Sequence, residues 1–405
     1  TVGSYDRTLP LVIDPVYTWH TFYGSSDDDI GRGIAVDKDG NIYVTGTSYA
    51  WGTPINPHSG SGRDIVVLKL DSSGTRLWHT FHGSNDYDYG LGVAVDNDGN
   101  VYVTGSSYAT WGTPINPYSG NYDIVVLKLD SSGNLQWHTF HGSGGFDEGS
   151  GIAVDKDGNI YVTGTSTATW GTPVNPHSGY EDIVVLKLNS SGILLWHTFY
   201  GSNGYDYGYG IAVDNDGNVY VTGYSYDTWG TPINPYSDGS DIVVLKLNSS
   251  GVYQWHTFHG SNDFDYVSGI AVDGSGNVYV IGDSLATWGT PITPHSGERD
   301  MVVIKLNSSG VYLWHTFYGS NEEDYGSGIA VDESGNVYVT GDSDATWGTP
   351  INPHSGYDIV IVKMSGSEEG GLTPEEGTIG TRITIHGAGF GIKKGKVLIN
   401  NMAAK

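Results

Sequence analysis

The sequence predicts an all-β protein, a β-propeller of six four-stranded blades, on three observations. The tetrapeptide Trp-His-Thr-Phe begins at Trp19, Trp78, Trp137, Trp196, Trp255 and Trp314, a constant step of 59 residues. Residues 78–136 and 196–254 agree at 47 of 59 positions, so one module has been copied. Each copy holds four short apolar runs separated by turn residues, and no run of ten carries the 3,4 apolar spacing of a helix.

The elements follow in chain order. Leu9–Asp14 and Tyr17–Tyr23 read as the third and fourth strands of a unit that lacks its first two. In the first full unit Gly33–Asp37 is the innermost strand, and Lys38-Asp39-Gly40 is a hairpin turn whose glycine supplies φ > 0. Asn41–Thr47 is the second strand. A long loop from Ser48 to Arg63, carrying Trp51-Gly52-Thr53-Pro54, leads to the third strand, Asp64–Leu70. Ser72-Ser73-Gly74 turns the chain into the fourth, Leu77–His82. A run such as IVVLKL is apolar on both faces, as blade-on-blade packing requires, and four antiparallel strands repeated radially make a propeller. The last unit has Gly328–Asp332, Asn336–Asp342 and Asp358–Met364 but no fourth strand. The strand at Trp19 is therefore expected to complete it and close the ring.

Composition narrows the function classes. The 405 residues carry 45 Asp and Glu against 18 Lys and Arg, a formal charge of −27, which excludes a phosphate-binding basic face and hence nucleic acid. Twelve Trp, 29 Tyr and 9 Phe supply far more apolar surface than a disordered acidic chain has. No apolar run reaches the ~20 residues that span a bilayer. With no cysteine there are no disulfides, thiolate metal sites or cysteine nucleophiles. The sequence begins with Thr1 and shows no signal-like apolar segment, so a mature form or an excised segment is expected.

The pattern GIAVDxxGNxYVTG, then DIVVLKL, SSG and an aromatic strand, resembles the seven-bladed β-propeller repeat family, SBBP, over nearly all of residues 5–366. The departure is the count: six units rather than seven. After a linker at residues 367–371, the segment 372–405, with Leu372-Thr373-Pro374 and Ile385-His386-Gly387-Ala388-Gly389-Phe390-Gly391, resembles the start of an immunoglobulin-like IPT/TIG domain, truncated here. The expected organisation is thus a lead-in and seam strand (1–18), the propeller (19–366), the linker and the partial domain. The resemblance implies an extracellular or cell-surface setting, an adhesion-like multidomain architecture and no enzymatic activity.

Two columns of residues are candidate ligand sites. Asp29, Asp88, Asp147, Asp206, Asp265 and Asp324 precede the innermost strands and would ring one mouth of the channel. Converging carboxylates repel unless a cation such as Ca²⁺ sits among them, although each can instead accept hydrogen bonds from its own loop. Trp51, Trp111, Trp170, Trp229, Trp288 and Trp347 lie in the long loops on the same face. Exposed, such rings stack on sugars; packed down, they plug the clefts between blades. The Asp-x-Asp-Gly-Asn turns lack the downstream Glu of a calcium loop, and Ser275 and Ser334 replace the central Asp, so they read as hairpin turns. The histidines of the Trp-His-Thr-Phe strands read as polar positions on the outer rim. Val267, Ile281, Thr293, Glu298 and Arg299 depart from their columns without forming a nucleophile–base set, so no catalysis is expected.

The expected function is a non-enzymatic structural or interaction module, an adhesion or assembly scaffold with protein or glycan partners at a cell surface. The alternatives are a lectin using the Trp loops and a self-assembling subunit of a surface layer or filament.

Overall fold

The computed structural model describes residues 20–332, 334–348, 350, 356 and 358–364, together with four two-residue strand fragments beyond them. The lead-in strand at Leu9–Asp14, residues 17–19 of the seam strand and the linker 367–371 lie outside the described residues. Of the immunoglobulin-like segment, only Leu372–Thr373 paired with Thr384–Ile385 and Leu398–Ile399 paired with Met402–Ala403 are described, which establishes no domain.

Every repeat folds into one twisted antiparallel sheet whose strands run in chain order from the channel outward. In the first blade these are Ile30–Val36, Ile42–Ser48, Asp64–Leu70 and Arg76–His82. Four further sheets repeat that order. The sixth has three strands, Asp324–Val331, Val337–Ser343 and Asp358–Met364. The protein is therefore an all-β, six-bladed propeller, with no helix among the described residues.

Local chemistry explains the hairpins. Gly40 and Gly74 adopt φ of 80° and 83°, the left-handed region the two turns require. Asp37 Oδ1 accepts the amides of Asp39 (3.0 Å) and Asn41 (2.9 Å), while its Oδ2 accepts Asn41 Nδ2 (2.8 Å) and the Tyr43 hydroxyl (3.0 Å). The middle residue contributes only its amide, so Ser275 bonds to Asp273 in the same way (2.9 Å). The Asp-x-Asp turns are Asx turns, and the swap to serine costs them nothing.

The third strands carry the core. Ile65 and Val67 are fully buried and pack with Tyr43 against Val101, Val103, Val125 and Leu127 of the second blade. The same interlock recurs from blade to blade, each apolar face filling against the next. A β-bulge between Gly90 and Gly92 interrupts the innermost strand of the second blade, and its counterparts recur in the other five. The bulge leaves one residue per blade (Arg32, Leu91, Ser150, Tyr209, Ser268, Ser327) outside the ladder. Opposite it stands Gly105, where a Cβ would collide with the carbonyl oxygen of Tyr89.

The outer-rim expectation for the histidines is corrected. His79 is 1% exposed, its ring lies flat on Trp51 with centroids 4.0 Å apart, and Nε2 sits 3.0 Å from the Trp51 carbonyl. The long loop folds back over the fourth strand and covers it.

One seam differs from the rest. Innermost strands of successive blades pack together from the first blade to the sixth, with no comparable packing between the sixth and the first among the described residues. Ile359 and Ile361 are 80% and 75% exposed, whereas Ile65 and Val67, their counterparts, are fully buried. On the first blade Ile34 and Val36 face the same gap, 69% and 58% exposed. Yet Tyr23 stacks on Trp51 (6.0 Å, 19°) just as Tyr318, the end of a fourth strand, stacks on Trp347 of the next blade (5.8 Å, 27°). Residues 20–29 thus enter the first blade along the path a preceding fourth strand takes.

Candidate functional site

The first strand starts, the second ends, the third starts and the fourth ends at one end of every blade: Asp88 is opposite Ser107, Ser107 opposite Asp123, and Ile124 opposite His141. This end holds both candidate columns and the long loops.

The six loop tryptophans are wedges. Trp111 lies between His138 of its own blade (3.8 Å, 6°) and His82 of the preceding one (6.1 Å, 27°), with Phe140 edge-on at 5.8 Å. Trp170 and Trp229 repeat that sandwich, with His141 and Tyr200 as the outer partners. Trp288 stacks on His315, Trp51 on His79 and Trp347 against Tyr318. In the sandwiched positions both ring faces are occupied by side chains, which locks the loop into the cleft between blades.

The aspartate column does not converge on the channel, since no three His, Cys, Asp or Glu side chains gather in one place among the described residues. Each is instead held by its own loop. Asp88 accepts the Ser84 amide (2.7 Å) and hydroxyl (3.0 Å) through Oδ2, and the Ser107 hydroxyl through Oδ1. Burial, with help from Asp64 nearby, pushes the Asp88 carboxyl up to about 7. Asp147 and Asp206 are fully buried in the same arrangement, Asp265 and Asp324 are fully buried but held by their loop serines through Oδ2 alone, and Asp29 is half-buried beside the seam.

What surrounds the mouth is a set of columns in which the otherwise uniform repeats disagree. The residue before the aspartate is Asp28, Tyr87, Phe146, Tyr205, Phe264 and Glu323, and the residue after it is Ile30, Tyr89, Glu148, Tyr207, Tyr266 and Tyr325. The penultimate residue of the second strand is Thr47, Ser106, Thr165, Tyr224, Asp283 and Asp342. The bulge residues form a further variable column facing the channel. Parallel bridges such as Glu181 to Tyr205 and Arg299 to Glu323 tie neighbouring blades at this level, so the columns form a continuous rim.

Aromatic rings pave the rim from the second blade to the fifth. Tyr87 stacks on Tyr89 (6.3 Å, 10°), Tyr205 on Tyr207 (6.4 Å, 5°) and Phe264 on Tyr266 (6.3 Å, 7°). Tyr180 stacks on Tyr205 (5.3 Å, 17°) and is 66% exposed. Between the fifth and sixth blades the rim turns acidic. An open pocket of ≈ 450 Å³ is lined by Ser268, Asp283, Glu323, Tyr325, Ser327 and Asp342. Asp283 is bound by Arg299 Nη1 at 3.0 Å, yet burial, with Asp342 and Glu323 adding, still pushes it up to about 7. The Arg299 guanidinium lies over Tyr325 (4.9 Å) and Tyr266 (5.2 Å). Deeper in, burial also raises Glu148, against the opposing pull of the Ser106 hydroxyl and of Arg32 from the first blade. The tyrosine columns were not singled out from sequence, although comparing the repeats position by position would have shown them.

A family model described as a beta-propeller repeat matches residues 18–50, 78–110, 136–169, 195–228, 254–287 and 313–346. The chain carries six SBBP repeats. After the first, each matched segment runs from the fourth strand of one blade through the first two strands of the next and into the long loop. The SBBP array is 28% identical to a regulatory protein, FlaEY, of Caulobacter vibrioides over 78% of this chain and 38% of that protein. It is 25% identical to an uncharacterised WD repeat-containing protein of Acanthamoeba polyphaga mimivirus over 59% of this chain and 20% of the other. The chain therefore spans well under half the length of either relative. Among solved structures it is similar to a gluconolactonase from Xanthomonas campestris, 14% identical with a TM-score of 0.36, covering 78% of this chain and 93% of that one. The expectation that the chain is not an enzyme is withdrawn, since the solved structures it is similar to carry the name of an enzyme. Departures from symmetry also meet in the folded ring: Asp283 and Glu323 line one pocket, and Arg299 is bonded to Asp283. At that TM-score the likeness carries no reaction to this chain.

Proposed function

We propose that this array is an interaction module at a cell surface whose partner docks on the tyrosine-lined rim. One observation carries the reading. Six copies of one 59-residue module differ non-conservatively from blade to blade in the columns that meet at one end of the ring. Invariant positions build blades; the variable ones give the ring an individual face. Tyrosine is suited to such a face, since it offers a rigid apolar ring and a polar tip, and it is enriched in protein interfaces. The acidic pocket beside Tyr325 and the net charge of −27 favour a partner with a basic patch, through faster encounter and register. The surface setting rests on what the resemblance to the SBBP repeat family implies.

A second reading has its own support. The exposed, parallel ring pair of Tyr180 and Tyr205 is a platform on which the apolar face of a sugar stacks. Both readings are tested with one pair of proteins, the wild type and the variant Tyr87→Ser/Tyr180→Ser/Tyr205→Ser/Phe264→Ser. These go onto a glycan array and onto a panel of surface proteins from the source cell. Rim docking predicts that whichever panel retains the wild type releases the variant. Equal retention of both would refute it.

A further inference from the structure

Each junction between successive blades from the first to the sixth buries two carboxylates together. The pairs Asp64 with Asp88, Asp182 with Asp206 and Asp300 with Asp324 are all fully buried. In each, the first Asp opens the third strand of one blade and the second opens the innermost strand of the next. A glycine stands between them: a Cβ on Gly83 would lie 2.7 Å from Asp64 Oδ1 and 2.7 Å from Asp88 Oδ2. At Gly201 the same point is 2.6 Å from Asp182 Oδ1 and 2.8 Å from Asp206 Oδ2, and Gly319 stands likewise between Asp300 and Asp324. The missing side chain leaves a small cradle facing two oxygens.

The cradle is electrically incomplete. Asp64 Oδ1, Asp182 Oδ1 and Asp300 Oδ1 are buried and have no hydrogen-bond partner. No Lys or Arg pairs with any of these six carboxylates among the described residues; the nearest cationic candidate is His58 Nε2, 3.9 Å from Asp64 Oδ1. Two buried charges of one sign at close range are unstable without a counter-charge. Burial first, and the neighbouring acid in addition, push both Asp88 and Asp182 up to about 7, as expected of carboxylates that lack one.

The other two junctions differ in one respect. At Asp123 the Ser119 hydroxyl reaches both carboxylate oxygens (2.8 Å each), and at Asp241 the Ser237 hydroxyl does the same (2.7 and 2.8 Å). In the three junctions above, the equivalent serine hydroxyl reaches only Oδ2 of its aspartate and the nearby backbone carbonyls, leaving Oδ1 alone; Ser59 Oγ lies 2.9 Å from Asp64 Oδ2, 2.9 Å from Gly83 O and 2.8 Å from Ser84 O. At the Asp241/Asp265 junction Asp265 Oδ1 also lacks a partner, but it is not one of the oxygens facing the cradle; serine satisfies the cradle-facing Oδ1 of the first aspartate in two junctions and leaves it unsatisfied in three.

We propose that the junctions at Asp64/Asp88, Asp182/Asp206 and Asp300/Asp324 each bind one calcium ion between the two carboxylates. The donors are all oxygen: two carboxylates, backed by backbone carbonyls and a serine hydroxyl, which is the set hard cations take, with water filling the remaining positions. The ion neutralises the buried pair and clamps one blade to the next, directly beneath the rim, since Asp88 and Asp206 stand between Tyr87 and Tyr89 and between Tyr205 and Tyr207.

The test uses the full chain stripped with EDTA, titrated with CaCl₂ by calorimetry at pH 7.5 and counted independently by equilibrium dialysis. The expected result is three ions per chain and a melting temperature that rises and saturates with calcium. Asp64→Asn should lower the count to two, whereas Asp123→Asn should leave it at three. The dialysis count on the wild type does not depend on whether a variant folds. No binding with no thermal shift would mean the pairs hold only a proton. That result, five equivalent ions, or a count unmoved by Asp64→Asn would overturn the proposal.

Discussion

Removing residues 1–24 tests how the ring is held shut. Tyr17–Tyr23 is expected to pair with Asp358–Met364 as the missing fourth strand, bringing the sixth blade against the first. The structure sets the scale. Four side chains at the seam, Ile34, Val36, Ile359 and Ile361, are 58–80% exposed, whereas the counterparts of the last two in the first blade, Ile65 and Val67, are fully buried. Full burial of such a side chain is worth about 1.5–3 kcal/mol, so covering these four contributes roughly 4–8 kcal/mol. The Tyr23–Trp51 stack adds about 1 kcal/mol. A loss of that size is comparable with the whole stability of an ordinary domain. Thermal and urea unfolding of the truncated chain should therefore show a melting point lower by on the order of 10 °C. The register offers a second readout. Val67 pairs with Thr80, so Ile361 should face Thr21. Thr21→Cys with Ile361→Cys should form a disulfide under mild oxidation, with no other cysteine to confuse the result. Cysteines that stay free, together with an unchanged melting curve, would refute the closure.

Further expectations concern the wedges, the buried histidines and the bulge. Trp111→Ala empties a cleft between two stacked imidazoles and should cost roughly 2–4 kcal/mol in urea unfolding. Burial pushes His82 down to about 4, and His141 and His259 to about 3. The folded state then binds fewer protons than the unfolded one, so stability present above pH 6.5 is lost as pH falls toward 4, by up to roughly 3 kcal/mol per histidine. Tyr200 and Tyr318 already occupy the same position in other blades, so the triple change of these histidines to tyrosine should flatten the acid limb of a stability–pH curve. The aspartate pairs act in the opposite sense. Asp88 and Asp182 are raised from 3.8 to about 7, so in calcium-free buffer their contribution is present below pH 4 and is lost as pH rises to 7. Asp88→Asn should shrink that decline in a calcium-free pH series. Gly105→Ala drives a methyl into the Tyr89 carbonyl and should abolish soluble expression or cut the melting point sharply.

The fold was legible because its determinants are local and repeated. The 59-residue step, the glycines at Gly40 and Gly74 and the two-sided apolar run at Ile65–Leu70 fix blades, turns and packing without long-range knowledge. The histidines were misplaced because a strand's outer position in the sheet does not reveal that the loop carrying Trp51 folds back over it. The aspartate column was seen as a column but not as half of a pair. Asp64 and Asp88 belong to different blades, and only blade packing brings them together around Gly83. The tyrosine rim escaped because conspicuous motifs such as Trp-Gly-Thr-Pro draw attention to what the repeats share. The rim is built from what they do not share, Tyr87 against Phe146 against Glu323. Non-catalytic character could not be read from symmetry either, since the asymmetric residues Asp283, Arg299 and Glu323 meet only in the folded ring.

The claim at the centre of this account is that the rim, not the Trp loops, receives the partner. Hydroxyl-radical footprinting of the array, alone and with the ligand its binding panel retains, measures this directly. The account predicts protection at Tyr87, Tyr180, Tyr205 and Phe264, with the loop tryptophans equally shielded in both states. Protection that appears at Trp51, Trp111 and Trp170 on binding, with the rim unchanged, would contradict it.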